Sequence, residues 1–346
     1  MEDEVIRVGS RKSQLALIQT DYVIKELSTV YPDKSFKIIS MSTVGDKILD
    51  KSLSKIGEKS LFTKELEIAL ENREVDFVVH SLKDLPTTLP EGMVIGAVCK
   101  REDPSDAVIL HEKHSNHTLS SLPAGSLIGT SSLRRRAQLQ SSYPHLKFKS
   151  VRGNLNTRLR KLDEEQLYDG LILAVAGISR MGFSNRISQI LDHKECMHAV
   201  GQGALAVECR KDDINTLRMV SVLTDRDTAL QCIAERSFMK SLGGGCSVPI
   251  AVYSQLENCK LNLKGGVFSL NGSDSLICEE GCILQYKKEN TEEKLKEHCG
   301  IVNLGILEEL SHLAEQLGIA LADRLVRRGA RKILDEAHRQ NELSIE

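Results

Sequence analysis

Short apolar runs alternate with stretches of helical periodicity along the first two thirds of the chain. The apolar runs predict strands, whereas Leu15, Ile18, Tyr22 and Val23 recur at helical spacing after Ser13, a residue suited to cap that helix. Alternating strands and helices indicate a parallel sheet in an α/β domain. The predicted strands cover residues 5–8, 36–41, 75–80, 127–129, 148–151, 171–175 and 204–208.

The pattern changes at residue 227. A predicted helix at 228–242 is followed by strand-like segments and then by two more helices, which indicates an α+β domain. A charged stretch at 290–300 is expected to be an exposed excursion. The strand-like segments are 250–253 and 261–268, and the two helices are 306–326 and 331–340.

Composition excludes several classes of protein. A chain of 346 residues is too long for one ordinary core, and its most apolar stretch, 170–178, is too short to cross a membrane. The acidic start shows no secretory signal, and the nine cysteines have no Cys-x-x-Cys spacing, so free thiols in the cytoplasm are expected. The spacing of His111, His114 and His117 fits no ordinary zinc site, so no metal is expected.

One long stretch differs in charge from the rest of the chain. The net charge is −2, yet residues 113–162 contain no aspartate or glutamate. Ser131 or Ser132 can cap a helix with three arginines in its first turn, and Asn154 can cap a second basic helix. This concentration of cations points to a specific anionic ligand, although a solvated basic face or a nucleic-acid patch would have the same composition. The cations are Arg134, Arg135, Arg136, Arg158, Arg160 and Lys161.

Several basic residues directly follow predicted strands. Ligands of α/β domains bind beyond the carboxyl ends of strands, so this placement favours a ligand site. Asp84 is the one carboxylate in the set: it either forms a local ion pair with Lys83 or holds a cationic nitrogen of a substrate. The basic residues are Arg11, Lys83, Arg134, Arg135, Arg152 and Arg180.

Three loops have less specific signals. Residues 42–59 are predicted to form a long loop, and the two glycines around Gln202 suit either a hinge or close approach to a ligand. Cys246 follows three glycines that can present its sulfur, but a lone cysteine is usually an inert small side chain.

Six motifs, in the same order along the chain, resemble those of the porphobilinogen deaminase (hydroxymethylbilane synthase) family. They lie between residues 8 and 249, and together they are far more specific than any one alone. The motifs are Val8-Gly-Ser-Arg11-Lys-Ser13-Gln-Leu-Ala, His80-Ser-Leu-Lys83-Asp84-Leu-Pro, Gly129-Thr-Ser-Ser-Leu-Arg134-Arg135, Val151-Arg152-Gly-Asn-Leu-Asn-Thr-Arg158-Leu, Gly201-Gln202-Gly203-Ala-Leu and Gly244-Gly-Cys246-Ser-Val-Pro.

The resemblance implies an enzyme of haem (tetrapyrrole) biosynthesis that condenses four porphobilinogen molecules head to tail into hydroxymethylbilane and releases ammonia. It also implies two hinged α/β domains like those of periplasmic binding proteins, and a third α+β domain. These domains would cover residues 1–101 with 201–224, residues 102–200 and residues 225–346. Residues 42–59 would correspond to the cover of the active site, and residues 285–300 resemble a eukaryotic insertion.

The resemblance also implies roles for individual residues. Asp84 matches the catalytic aspartate, and Cys246 matches the cysteine that carries a dipyrromethane cofactor as a thioether. Each pyrrole bears an acetate and a propionate, so a growing chain is a polyanion suited to arginine forks. The implied cofactor ligands are Lys83, Ser131, Ser132, Arg134, Arg135 and Arg158, and the implied substrate ligands are Arg11, Ser13, Gln19, Arg152, Arg180 and Gln202.

Two other functions compete with this interpretation. A non-catalytic anion-binding protein would have no use for Asp84 or Cys246. A nucleic-acid binder usually interleaves aromatic residues with its cations, but aromatic residues are only 4% of this chain. The expected partner is therefore porphobilinogen, with no nucleic acid and no membrane, and the protein is expected to be a monomer. Arg136 is an additional cation that is expected to be solvated.

Overall fold

The first sheet is built from distant parts of the chain. The computed structural model describes residues 5–43, 62–245, 248–285, 295–304 and 306–343. The strands of this sheet are β1 (Val5–Arg11), β2 (Ser35–Met41), β3 (Phe77–Ser81), β4 (Met93–Val98), β10 (Leu205–Arg210), β14 (Glu297–His298) and β15 (Ile301–Val302). Their order is β14-β15-β4-β10-β3-β1-β2, with β1 parallel to β2 and β3, and β10 antiparallel to β3 and β4.

The helix that follows β1 begins at the predicted cap. Ser13 Oγ accepts a hydrogen bond from the amide of Ala16 at 3.4 Å, which confirms the prediction. Val23 and Leu27 of this helix are fully buried and pack in one cluster with Val8 of β1. Within the described ranges, none of the helices has the length and apolar character needed to cross a membrane. The helices associated with this sheet are α1 (Gln14–Val30), α2 (Lys64–Glu71) and α6 (Ile214–Ser221).

The segment that forms the second sheet is inserted, in sequence, between strands β4 and β10 of the first sheet. Its strands are β5 (Asp106–Leu110), β6 (Leu127–Gly129), β7 (Lys147–Lys149), β8 (Gly170–Ala174) and β9 (Gln189–Leu191), and its helices are α3 (Leu133–Ser142), α4 (Leu155–Asp163) and α5 (Val175–Arg180). The order is β7-β6-β8-β5-β9. The chain passes from the first sheet to this one through residues 99–105, between β4 and β5, and returns through residues 192–204, between β9 and β10. We call these the first and second crossing segments. The fully buried strand β5 was not among the predicted strands.

The third sheet is antiparallel and is covered by the predicted helices. The strands β11 (Ile250–Glu257), β12 (Lys260–Phe268) and β13 (Ser275–Ile283) follow one another, with helices α7 (Arg226–Ser241), α8 (Glu308–Arg327) and α9 (Ala330–Leu343). Ile233 and Phe238 of α7 share a core cluster with Leu82 and Leu85, which follow β3. The predicted fold class, two α/β units with a third α+β unit, is confirmed, whereas the domain ranges remain a prediction.

The end of one predicted surface segment is buried. Residues 290–300 were expected to be exposed, and this is wrong for residues 298–300, since His298 and Cys299 are 5% and 4% exposed. The reason is that β14 and β15 extend the first sheet beside β4, and His298 Nδ1 lies 2.8 Å from the carboxylate of Glu315. Residues 286–294, like residues 44–59 of the predicted long loop, lie outside the described residues.

Candidate active site

A buried carboxylate fixes the two arginines at the start of α3. Ser132 caps the helix, because its Oγ accepts a hydrogen bond from the amide of Arg135 at 3.4 Å. The oxygens of Asp106, at the start of β5, accept hydrogen bonds from Arg134 at 2.7 Å and from Arg135 at 2.7 and 2.9 Å. Arg134 also donates to Met197 O at 2.6 Å, and both arginines are buried.

Asp106 stays ionised despite complete burial. Burial alone would raise the pKa of Asp106, but the charges and hydrogen bonds of Arg134 and Arg135 outweigh it and hold that pKa far below its ordinary value. One carboxylate thus pairs with two guanidinium groups, so Asp106, Arg134 and Arg135 together keep a net positive charge. Sequence analysis missed Asp106; the available signal was a charged residue at the head of the apolar run Ala107 to Leu110.

Gln202 connects this group to the first sheet. It lies on the second crossing segment, and its Nε2 donates to Pro104 O at 2.6 Å and to Asp106 Oδ1 at 2.8 Å. Its Oε1 accepts a hydrogen bond from Lys83 Nζ at 3.3 Å. Gln202 therefore joins the turn after β3 to the two arginines of α3.

Three further cations lie near this group without an ion-pair partner in the described part of the chain. Among the described residues, no carboxylate forms an ion pair with Lys83, Arg152 or Arg158. Burial, together with the charge of Arg135, lowers the pKa of Lys83 to about 8, and burial with the charges of Arg135 and Arg152 lowers the pKa of Arg158 to about 10. We call Lys83, Arg134, Arg135, Arg152 and Arg158 the basic cluster. Its excess charge favours a bound anion.

Asp84 lies beside the basic cluster and is exposed. It ends a short 3-10 turn, Leu82–Asp84, that follows β3 directly. Burial lowers the pKa values of both Lys83 and Arg158, and the negative charge of Asp84 offsets part of that fall. One carboxylate was expected among the cations, whereas Asp106 is a second one, buried against Arg134 and Arg135.

A small pocket next to Asp84 contains two of the predicted substrate ligands. The Arg11 guanidinium lies 4.3 Å from the centre of the Phe62 ring, which is a cation–π contact. Gln19 Nε2 donates to Ser81 Oγ at 3.0 Å. The pocket is lined by Arg11, Gln19, Phe62, Thr63, Val79, His80, Ser81 and Asp84.

The other predicted ligands have mainly protein partners. Ser13 and Ser132 act as helix caps, and Ser131 Oγ lies 3.0 Å from Ser150 Oγ and also donates to Val151 O. Arg180 donates to Gly203 O at 2.7 Å, on the second crossing segment. This bond holds Arg180 next to the second crossing segment. That Arg180 acts together with the basic cluster remains a prediction.

Arg136 differs from the expectation that it is solvated. Arg136 is half-buried rather than solvated, and it donates to Leu270 O at 3.4 Å because the third sheet packs against α3. His114 lies 3.0 Å from Asp169, and the described residues contain no group of side chains that could hold a metal ion. Cys246 lies outside the described residues, just after the end of α7 and the glycines Gly243 to Gly245.

Two family models match this chain. The porphobilinogen deaminase dipyromethane cofactor binding domain matches residues 6–218, and the porphobilinogen deaminase C-terminal domain matches residues 229–327. The chain is similar to the porphobilinogen deaminase of Synechococcus elongatus, with 49% identity over 331 residues that cover 96% of this chain and 95% of that protein. It is also similar to the porphobilinogen deaminase of a Nostoc species, with 54% identity over 269 residues that cover 78% of this chain and 83% of that protein.

Proposed function

The chain belongs to the porphobilinogen deaminase family, and on that premise we propose which of its residues carry out the reaction. The protein is a transferase that condenses four porphobilinogen molecules head to tail into hydroxymethylbilane, with release of ammonia, in tetrapyrrole biosynthesis. It uses a dipyrromethane cofactor. The proposals below concern the residues that bind the cofactor, bind the substrate and assist the chemistry.

The basic cluster suits the carboxylates of the cofactor. Arg158 Nε donates to Gly153 O at 2.8 Å, yet among the described residues no carboxylate forms an ion pair with Arg158 or with Lys83. The cofactor supplies the primer pyrrole to which the substrate is joined. The proposed attachment point is the sulfur of Cys246, supported by the three glycines that precede it. The proposed ligands of the cofactor carboxylates are Lys83, Ser131, Ser132, Arg134, Arg135 and Arg158.

The remaining predicted ligands are proposed to hold porphobilinogen and the growing chain. Support comes from the pocket beside Asp84, which places Arg11 and Gln19 next to the carboxylate. Arg152 adds support, because its Nε is buried and has no hydrogen-bond partner among the described residues. The proposed substrate ligands are Arg11, Ser13, Gln19, Arg152, Arg180 and Gln202.

Asp84 is proposed to be the catalytic residue. Loss of ammonia from porphobilinogen breaks the bond between the aminomethyl carbon and nitrogen and leaves a cationic substrate, which the basic cluster alone would repel. The Asp84 carboxylate would accept hydrogen bonds from the pyrrole N–H and from the leaving ammonium, and would stabilise the positive charge that develops. The observation that carries this proposal is the exposed Asp84 carboxylate, which follows Lys83 in the chain and lines the pocket that contains Arg11 and Gln19.

The Asp84→Asn variant tests this role. Asparagine keeps the shape but not the charge, so the variant should bind porphobilinogen and lose turnover. Hydroxymethylbilane formation and substrate binding by calorimetry would be measured beside Asp163→Asn, a carboxylate exchange at a partly exposed ion pair with Arg186. Wild-type turnover in Asp84→Asn would remove Asp84 from the mechanism, whereas Asp163→Asn should behave as wild type.

We also propose that the protein acts as a cytoplasmic monomer. Eight of the nine cysteines lie in the described ranges and are free, which supports a reducing compartment. The two crossing segments support the division into residues 1–101 with 201–224, residues 102–200 and residues 225–346. Size measurement by analytical ultracentrifugation would test the monomer, and a dimer at micromolar concentration would contradict it.

A further inference from the structure

One arginine behind the site has no acidic partner. Arg236 of α7 is 1% exposed, and within the described ranges no carboxylate forms an ion pair with it. Burial lowers the pKa of Arg236 to about 10, so the guanidinium is still charged at neutral pH. A buried charge costs free energy unless hydrogen bonds replace its hydration. The groups that accept hydrogen bonds from Arg236 therefore indicate its role.

The guanidinium donates to three backbone carbonyls. Its terminal nitrogens donate to Leu85 O at 3.2 Å and to Pro86 O at 2.7 Å, and its Nε donates to Cys299 O at 2.9 Å. Leu85 and Pro86 are the two residues that follow Asp84. Arg236 thus holds the chain where the turn that carries Asp84 ends.

Glu235, the residue of α7 that precedes Arg236, holds the two crossing segments in the same way. The Glu235 carboxylate pairs with Arg101 at 2.6 and 3.0 Å and accepts a hydrogen bond from the amide of Gly201 at 2.8 Å. Arg101 Nε in turn donates to Gln202 O at 2.8 Å. Helix α7 therefore attaches both crossing segments through Glu235 and the Asp84 turn through Arg236.

We infer that Arg236 is a positioning residue: by holding the carbonyls of Leu85 and Pro86, it keeps the Asp84 carboxylate in the orientation that the reaction needs. This inference rests on the proposed role of Asp84. Arg236 forms no hydrogen bond with any proposed substrate ligand, so its loss should affect turnover more than substrate binding. A catalytic group displaced by about 1 Å lowers the rate by roughly 10²-fold.

A double-mutant cycle on the holoenzyme tests the inference. Arg236→Met should lower kcat by roughly 10- to 100-fold and leave KM nearly unchanged. If Arg236 acts through Asp84, the same substitution should cost little further in the Asp84→Asn background. Arg210→Met is the matched control, since Arg210 is also buried and donates to two carbonyls, Leu70 O at 3.0 Å and Val75 O at 2.7 Å. The control should lose thermal stability and keep the wild-type kcat.

The outcomes separate the two proposals. A wild-type kcat in Arg236→Met, or an equal loss of kcat in both backgrounds, overturns the positioning role. If Arg236→Met does not fold, Arg236→Lys replaces it, because one ammonium keeps the charge but cannot span three carbonyls; here too a wild-type kcat overturns the inference. Full turnover in Asp84→Asn would refute the proposed role of Asp84 itself, independently of Arg236.

Discussion

Replacing Asp106 by asparagine should destabilise the protein much more than removing a surface carboxylate. The two oxygens of Asp106 are fully buried and accept hydrogen bonds from Arg134 and Arg135. Asparagine has the same shape, but it lacks the charge and turns an N–H donor toward an arginine donor. Breaking a buried ion pair in this way costs about 3–5 kcal/mol. With a urea dependence of about 3 kcal/mol per M, the midpoint of unfolding should fall by about 1–1.7 M.

Urea unfolding followed by far-UV circular dichroism at pH 7 measures this effect. Asp163→Asn is the control, because its partly exposed pair with Arg186 contributes at most about 1 kcal/mol. The pKa of Asp106 is lower in the folded protein than the ordinary carboxyl value of about 3.9. Its contribution to the free energy of unfolding is therefore complete above that ordinary value, and it is lost as the pH falls through the lower pKa of the folded protein. The difference from wild type should therefore persist between pH 7 and about pH 5. Equally small shifts of the urea midpoint for both variants would refute the view that Asp106 stabilises the two buried arginines.

Two other predictions concern charge and backbone geometry. Because burial and the charge of Arg135 lower the pKa of Lys83 to about 8, apo-protein should acquire the cofactor more slowly as the pH increases through about 8 and the ammonium is lost. Lys83→Arg should remove this decline when the covalent mass gained during incubation with porphobilinogen is followed over time, and an unchanged decline would exclude Lys83 as its source. Gly203→Ala should lower stability in thermal unfolding by about 1–3 kcal/mol, because Gly203 has a φ of +91° and an added Cβ would lie 2.3 Å from Glu102 O. Gly177→Ala, where the nearest side-chain atom would be 3.8 Å away, should show no such loss, and equal losses would contradict the argument.

Local signals predicted the helix starts at the site correctly. Ser13, Ser132 and Asn154 each cap the helix expected of them, with Asn154 Oδ1 accepting a hydrogen bond from the amide of Thr157 at 3.0 Å. A cap depends on residues within one turn, so its sequence pattern is sufficient. The alternation of strands and helices likewise agrees with the predicted fold class. The sheets are mixed rather than parallel as expected, because β10 is antiparallel to β3 and β4, and β5 is antiparallel to β8 and β9.

Residues whose partners are distant in the chain could not be found in this way. Asp106 is the partner of arginines 28 and 29 residues later, and Arg236 donates to carbonyls 150 and 151 residues earlier. The sequence around Arg136 predicted a solvated side chain and could not reveal that the third sheet packs against this part of α3. Such buried charges require the tertiary structure, because their sequence pattern is the same as that of a solvated residue.

The intact mass of the denatured protein, measured beside a Cys246→Ser variant, tests the central claim most directly. The proposed function predicts a covalent excess that matches two linked pyrrole units and is absent from the variant. Apo-protein would acquire this excess after incubation with porphobilinogen. If the protein with Cys246 still gains no mass after that incubation, the proposed function is contradicted, and a non-catalytic anion-binding role becomes the better account of the basic cluster.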